Sequence, residues 1–345
     1  MISKFRMMTL SNKTTKDLAI AFPIIMAPMF LVSNEAMMIS GMNAGIMATF
    51  PSLNYRKDGE LDALLKTLNN YKTSSNAKGN YGVNLIVQQS NPLYKKQLAI
   101  CIENKVPFFI TSLGNPKEVI EQAHAYGGKV YCDVTNLAHA EKCASLNCDG
   151  FIAVGQGAGG HAGPNPLHIL IPALTKKFPN IPVIAAGGIA TGDAMLSVMA
   201  SGAQGFSIGT RFIASTEAQV SQEYKDAIVN AGMDNIVMTT KISGTPCSII
   251  NTPYAQKIGY QQSWFEKVLN ENKTVKKYFK MLTQIRGMKK LEDSVKPGNY
   301  KTLWCAGKSV EMIHNIQSCE SIVNTLKNEF ETASIQLKKT LAEIV

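Results

Sequence analysis

Two glycine turns and a histidine set in a glycine-rich loop are the features of this 345-residue chain best suited to chemistry. The turns are Ala186-Gly187-Gly188-Ile189 and Ile208-Gly209-Thr210-Arg211. Glycine lets backbone N–H groups come close to phosphate oxygens, Thr210 adds a hydroxyl donor, and a following helix can direct its positive N-terminal end at an anion. One Gly-Gly is an ordinary tight turn. Two such turns, about 20 residues apart at the ends of consecutive strands, fit the phosphate site that follows the last two strands of a (β/α)8 barrel.

The histidine is His161, within Gly157-Ala158-Gly159-Gly160-His161-Ala162-Gly163. Four glycines in seven residues make an open loop against which a flat ligand can lie. Imidazole titrates near neutrality and can take a proton from carbon or stabilise an anion. His124, His139 and His168 in helix-like segments, and His314 in an expected closing helix, read as structural or solvated. A third group is Ala27-Pro28-Met29 together with Asn84, an amide in the otherwise apolar run Gly82-Val83-Asn84-Leu85. A buried amide needs partners. Either the polar edge of an isoalloxazine ring or a structural hydrogen bond supplies them.

The elements that must position these residues form a regular rhythm. Short β-rich runs at Ile24–Pro28, Ala44–Phe50, Gly82–Val87, Phe108–Gly114, Lys129–Thr135, Gly150–Gln156, Pro182–Gly188 and Gly205–Thr210 are each followed by a helix-length stretch. The runs are nearly continuous in apolar residues, the pattern of strands buried on both faces of a parallel sheet. Between them, Leu61, Leu64, Leu65 and Leu68 mark one face of a helix. Asn136 is placed to cap another, and Ala194–Ser201 is a short helix ended by Gly202. Eight βα units predict an α/β fold, a (β/α)8 TIM barrel. An open doubly wound sheet would need a dinucleotide fingerprint that the sequence lacks. The rhythm stops after Thr210. Residues 1–214 and 302–345 are therefore assigned to the barrel, and 215–301 to a smaller, mainly helical substrate or lid domain over its mouth. Trp304–Val345 is expected to be a closing helix with Ile313, Ile316, Ile322, Val323 and Leu326 on its apolar side.

Composition narrows the function classes. At 45% hydrophobic and 17% charged residues the chain is neither disordered nor fibrous. The apolar segment Leu18–Val32 is shorter than the about 20 residues a membrane helix needs, and Pro23 and Pro28 interrupt it. With no signal-like N-terminus, a soluble cytoplasmic protein is expected. Seven cysteines without a C-x-x-C pair indicate neither a disulfide framework nor a metal site, so no metal is expected. The net charge of +10 is concentrated in Gln256–Lys301, with eleven Lys or Arg against four Asp or Glu. No nucleic-acid motif accompanies it. A solvated basic face, or a surface that attracts an anionic substrate or acidic partner, remains.

Taken together, Pro23-Ile24-Ile25-Met26-Ala27-Pro28-Met29, Gly82-Val83-Asn84-Leu85, Ala158-Gly159-Gly160-His161-Ala162-Gly163, Ala185-Ala186-Gly187-Gly188-Ile189 and Gly209-Thr210-Arg211-Phe212 resemble the nitronate monooxygenase family, formerly the 2-nitropropane dioxygenases. These are FMN-dependent barrels. A weaker echo lies at Leu303-Trp304-Cys305-Ala306-Gly307. The resemblance implies FMN as cofactor, with Ala27, Pro28, Met29, Asn84, Gly159, Gly160, Gly187, Gly188, Ser207, Ile208, Gly209 and Thr210 as its contacts and His161 as the catalytic base. It implies oxidation of an alkyl nitronate, or a nitroalkane, by O2 to a carbonyl compound and nitrite. The expected partners are this small anion and O2, with no nucleic acid or membrane, and with a homodimer allowed. Two positions depart from the pattern. Val154 stands where Gln or an acid is usual, which leaves Gln156 as a neighbouring substitute, and Ser207 stands where Gln is frequent.

Two other functions fit the same residues. Flavin-type enoyl-acyl-carrier-protein reductases resemble the same barrel, share the Gly-Gly-His loop and take hydride from NAD(P)H; the basic stretch would suit an acidic carrier protein. A non-catalytic barrel binding a phosphorylated metabolite would need only the glycine turns.

Overall fold

The computed structural model describes residues 10–88, 90–242, 245–261 and 302–344. Eight parallel strands close into a barrel: β1 (Ile24–Met26), β2 (Met47–Pro51), β3 (Asn80–Ile86), β4 (Phe108–Ser112), β5 (Lys129–Val134), β6 (Gly150–Val154), β8 (Val183–Ala186) and β9 (Gly205–Ile208), with β9 pairing back onto β1. Each falls within or beside one of the eight apolar runs. Successive side chains of a strand point to opposite faces, so a strand buried on both faces reads as a continuous apolar run. In β1, Ile24 and Met26 face the surrounding helices and Ile25 faces the lumen, and all are fully buried.

The lumen is packed with Ile25, Met47, Phe108, Ile110, Tyr131, Ile152 and Ile184. Leu18 and Ile20, from and just after the helix Lys13–Leu18, belong to the same cluster at the amino end. That helix opens with a capping box between Asn12 and Thr15. The amino end is thus filled, and the carboxyl ends of the strands are left to form a cavity.

The helical expectations hold where periodicity carried them. Leu61, Leu64, Leu65 and Leu68 are the buried residues of the helix Glu60–Ser74. The Asn136 side chain accepts the backbone N–H of His139 at the start of the helix Leu137–Ala144. The closing helix begins at Cys319, not at Trp304, and runs to Ile344. Ile313 and Ile316 precede it: a short 3-10 turn, Lys308–Met312, buries Val310 and brings in Ile313, and Ile316 packs against the same core. His314 accordingly lies outside the helix. The helix docks on Gly192–Ala200, where the Gly192 N–H donates to Glu329 (2.9 Å) and a Cβ on Gly192 would lie 2.0 Å from the Phe330 nitrogen. Arg211 is buried beneath this region and donates to the Asn315 and Gln317 side chains, each at 2.7 Å.

Beyond the barrel, the helices Gln222–Asn230 and Pro253–Ile258 flank two strands, β10 (Ile236–Thr239) and β11 (Cys247–Ile250). These pair antiparallel, and β11 also pairs with the two-residue β7 (Gly160–His161) in the loop after β6. Most of the basic stretch, residues 262–301, lies outside the described residues.

Candidate active site at the barrel mouth

A cavity of about 1550 Å3 opens at the carboxyl ends of the strands. Its walls bring together residues far apart in sequence: Ala27, Pro28 and Met29 after β1, Asn84 on β3, Gly159, Gly160 and His161 after β6, Gly187 and Gly188 after β8, and Ser207, Gly209 and Thr210 at the end of β9. Of the expected cofactor contacts only Ile208 turns its side chain away. It packs in the core between barrel and helices, and its carbonyl accepts the N–H of Ala27 at 2.9 Å.

The glycines have geometric reasons. Gly187 and Gly188 both adopt positive φ, +112° and +76°. A Cβ on Gly187 would lie 2.7 Å from the Ala158 nitrogen, so the β8 turn and the histidine loop touch through backbone. A Cβ on Gly188 would meet only Gly157 Cα, at 3.9 Å, and so would project into open space. Thr210 is buried, and its Oγ1 accepts the N–H of Gly307 (3.1 Å), which leaves its O–H to donate elsewhere. The helix that follows β9, Thr210–Ile213, is only four residues long. The β9 turn therefore offers backbone and hydroxyl donors rather than a helix end.

His161 is exposed to the cavity, and its backbone lies opposite Cys247 in the β7–β11 ladder. His139 also lines the cavity, next to Thr135 at 3.2 Å. His124 is engaged elsewhere, 2.7 Å from Asp149. Arg56 and Lys142 contribute cationic side chains to the wall. Val154 and Gln156 both line it as well, so Gln156 is available where Val154 offers no polar atom.

One polar chain was not read from the sequence. Asn84 Nδ2 donates to Ser112 Oγ (2.8 Å) and to the Ile110 carbonyl (3.1 Å), and Ser112 Oγ donates to Asp133. All three side chains line the cavity at the ends of β3, β4 and β5. Burial pushes the Asp133 carboxyl up to about 6, against the opposing effect of the Ser112 hydrogen bond. The signal was present: Asp133 interrupts Val130-Tyr131-Cys132-Asp133-Val134 as Asn84 interrupts its own strand. The amide of Asn84 thus has the structural partners that the sequence left as one alternative.

A closed eight-stranded barrel with its polar residues and glycine turns at the carboxyl ends defines an enzyme of the TIM-barrel class. Residues 52–329 match the nitronate monooxygenase family, and the chain belongs to that family. Its members are flavoenzymes, and the chain is an oxidoreductase. It is 28% identical over 246 residues to the (3aS,4S,5R,7aS)-5-hydroxy-7a-methyl-1-oxo-octahydro-1H-indene-4-carboxyl-CoA dehydrogenase of Rhodococcus jostii (strain RHA1), an alignment covering 71% of this chain and 67% of that protein. It is 33% identical over 177 residues to a probable nitronate monooxygenase of Staphylococcus saprophyticus, covering 48% of this chain and 50% of the other. The solved structure of FabK from Thermotoga maritima superposes with a TM-score of 0.79 at 27% identity, over 96% of this chain and all of that one. No helix among the described residues is long and apolar enough to cross a membrane.

Proposed function

We propose that the chain binds FMN at the barrel mouth and oxidises alkyl nitronates, or the parent nitroalkanes, with O2 to a carbonyl compound and nitrite. The observation that carries this reading is the arrangement of one cavity: the Gly188 turn, open where a Cβ would project, lies on the same wall system as His161 and the Asn84 amide. These residues fit FMN. Gly187, Gly188, Ser207, Gly209 and Thr210 offer backbone and hydroxyl donors to a phosphate. Ala27, Gly159 and Gly160 present little bulk to a flat ring, Pro28 and Met29 offer it apolar surface, and Asn84 offers an amide to its polar edge. Bound FMN would supply the electron acceptor and the route to O2; the protein supplies orientation and electrostatics.

His161 takes the carbon-bound proton of a neutral nitroalkane, or holds the anionic nitronate that has already lost it. Arg56 and Lys142 add positive charge to the wall, which favours an anion. We read residues 215–301 as the substrate unit over the mouth, a reading supported by Tyr224, Met238 and Ile242 in the cavity wall. Oxygen uptake with a nitronate, matched by nitrite release, tests this function. Absence of both from the flavin-loaded protein overturns it.

One observation favours a second reading. A cavity of about 1550 Å3 exceeds the roughly 300–1,000 Å3 of a site for one drug-sized ligand. It has room for a cofactor and a substrate much bulkier than a nitroalkane. An acyl thioester, reduced with NAD(P)H or oxidised as in the carboxyl-CoA dehydrogenase relative, would fill that space. NAD(P)H oxidation dependent on an enoyl thioester, without nitronate turnover, would select this alternative.

A further inference from the structure

Two cysteines meet in the wall of the same cavity, and the proposed flavin chemistry uses neither. Cys247 begins β11, and Cys305 lies on the segment bridged to Ile249 of that strand. Their Sγ atoms are 3.9 Å apart and share a hydrogen bond. Both side chains line the cavity, Cys247 almost fully buried and Cys305 half-buried. The segment carrying Cys305 is fixed from behind. The Tyr224 hydroxyl donates to the Cys305 carbonyl at 2.6 Å, and the Tyr224 ring stacks on Trp304 at 5.3 Å.

The pair is asymmetric. The hydrogen bond shared with Cys247 holds the Cys305 thiol below its ordinary value, although burial opposes this. The same contact, together with burial, pushes Cys247 up. The thiolate is the nucleophile, and reactive cysteines combine a lowered pKa with a path to solvent. The other five, Cys101, Cys132, Cys143, Cys148 and Cys319, are buried. Burial pushes Cys101 and Cys319 up.

We propose that Cys305 and Cys247 form a two-thiol modification site for low-molecular-weight disulfides, with Cys305 the attacking thiol and Cys247 the resolving one. Cys305 Sγ gives up its proton and attacks one sulfur of R–S–S–R. The reagent's S–S bond breaks, a mixed disulfide forms on Cys305, and the departing RS− takes up a proton. Cys247 Sγ then loses its proton and attacks Cys305 Sγ, expelling the second RS−, which is protonated in turn. Two protein thiols are oxidised by two electrons to one disulfide, and one R–S–S–R is reduced to two RSH. Forming the link means closing the gap from 3.9 Å to the about 2.05 Å of a disulfide. The link would sit against the histidine loop on two sides. Cys247 faces His161 in the ladder, and Gly307, two residues beyond Cys305, packs so closely that a Cβ on Gly159 would lie 2.7 Å from its nitrogen.

The test uses the full chain as purified and oxidised glutathione as the probe. After exposure at neutral pH, remaining thiols are blocked with iodoacetamide and the digest is mapped by mass spectrometry. The expected product is a Cys247–Cys305 linked peptide in the wild type and a stable glutathione adduct on Cys305 in Cys247→Ser. In limited alkylation without the disulfide reagent, Cys305 should react faster than any other cysteine, because it alone of the seven is not buried. No Cys247–Cys305 link in the wild type, or faster alkylation at any other cysteine, overturns the proposal. The wild-type measurements decide it even if a serine variant does not fold.

Discussion

His161 stands opposite Cys247 in the short ladder between β7 and β11, so strand pairing, as well as the glycine loop, fixes the backbone of the proposed base. Four glycines in that loop would leave a lone histidine poorly oriented. The ladder restrains the backbone there and ties the position of His161 to residues 236–250, outside the barrel.

His161→Asn distinguishes the two roles open to the imidazole. A neutral nitroalkane must lose a carbon-bound proton before oxidation, and a nitronate has already lost it. If His161 is the base, kcat/KM for the neutral form falls by about 10²–10⁴-fold while most nitronate turnover survives. Equal losses on both forms, chiefly in KM, would instead make His161 an anion anchor. Steady-state kinetics with a nitroalkane and its preformed nitronate measure this.

Gly188 tests the proposed phosphate site. A side chain at Gly188 meets open space, whereas one at Gly187 meets the Ala158 backbone. Gly188→Val should therefore reduce FMN affinity at least about tenfold, with a folding cost of about 1–2 kcal/mol for the positive φ. Gly187→Val should lower the melting temperature further, with or without FMN. Equal flavin retention in wild type and Gly188→Val would remove this turn from the site.

Asp133 gives stability a pH dependence of unusual sign. Its carboxyl titrates near 6 in the folded protein and near 3.8 in the unfolded chain. Between these values the folded state keeps a proton that the unfolded state has lost, so this group lowers stability as pH rises from 3.8 to about 6. The full effect is of the order of 2–3 kcal/mol, at about 1.4 kcal/mol per unit. Asp133→Asn removes the titration and keeps a hydrogen-bonding partner for Ser112. The difference in melting temperature, variant minus wild type, should grow in favour of the variant across that window. A difference independent of pH would show that Asp133 is not held neutral by its surroundings.

The barrel was legible because burial on both faces leaves an unmistakable mark. The runs overshoot the carboxyl ends of several strands: Pro28, Gly114, Gln156 and Gly188 lie in the loops, outside any ladder, where much of the proposed site also lies. The sheet of β10, β11 and β7 was not legible. β7 is two residues long and exists through a long-range pairing, with no local periodicity to betray it. The start of the closing helix is not marked by Ile313 and Ile316, which are apolar for a different reason: they follow a 3-10 turn and pack against the core. Asn84 and Asp133 make the same kind of exception in their strands. The structure joins both through Ser112.

The proposed function requires a flavin at the barrel mouth that accepts electrons from a nitronate, and the flavin spectrum reports on both. The purified protein, loaded with FMN, is mixed anaerobically with a nitronate and, separately, with NADPH, while the flavin spectrum is followed. Bound, noncovalent FMN should lose its oxidised absorbance with the nitronate and recover it when O2 is admitted. Failure to bind FMN, or bleaching by NADPH with none by the nitronate, would contradict the proposed function.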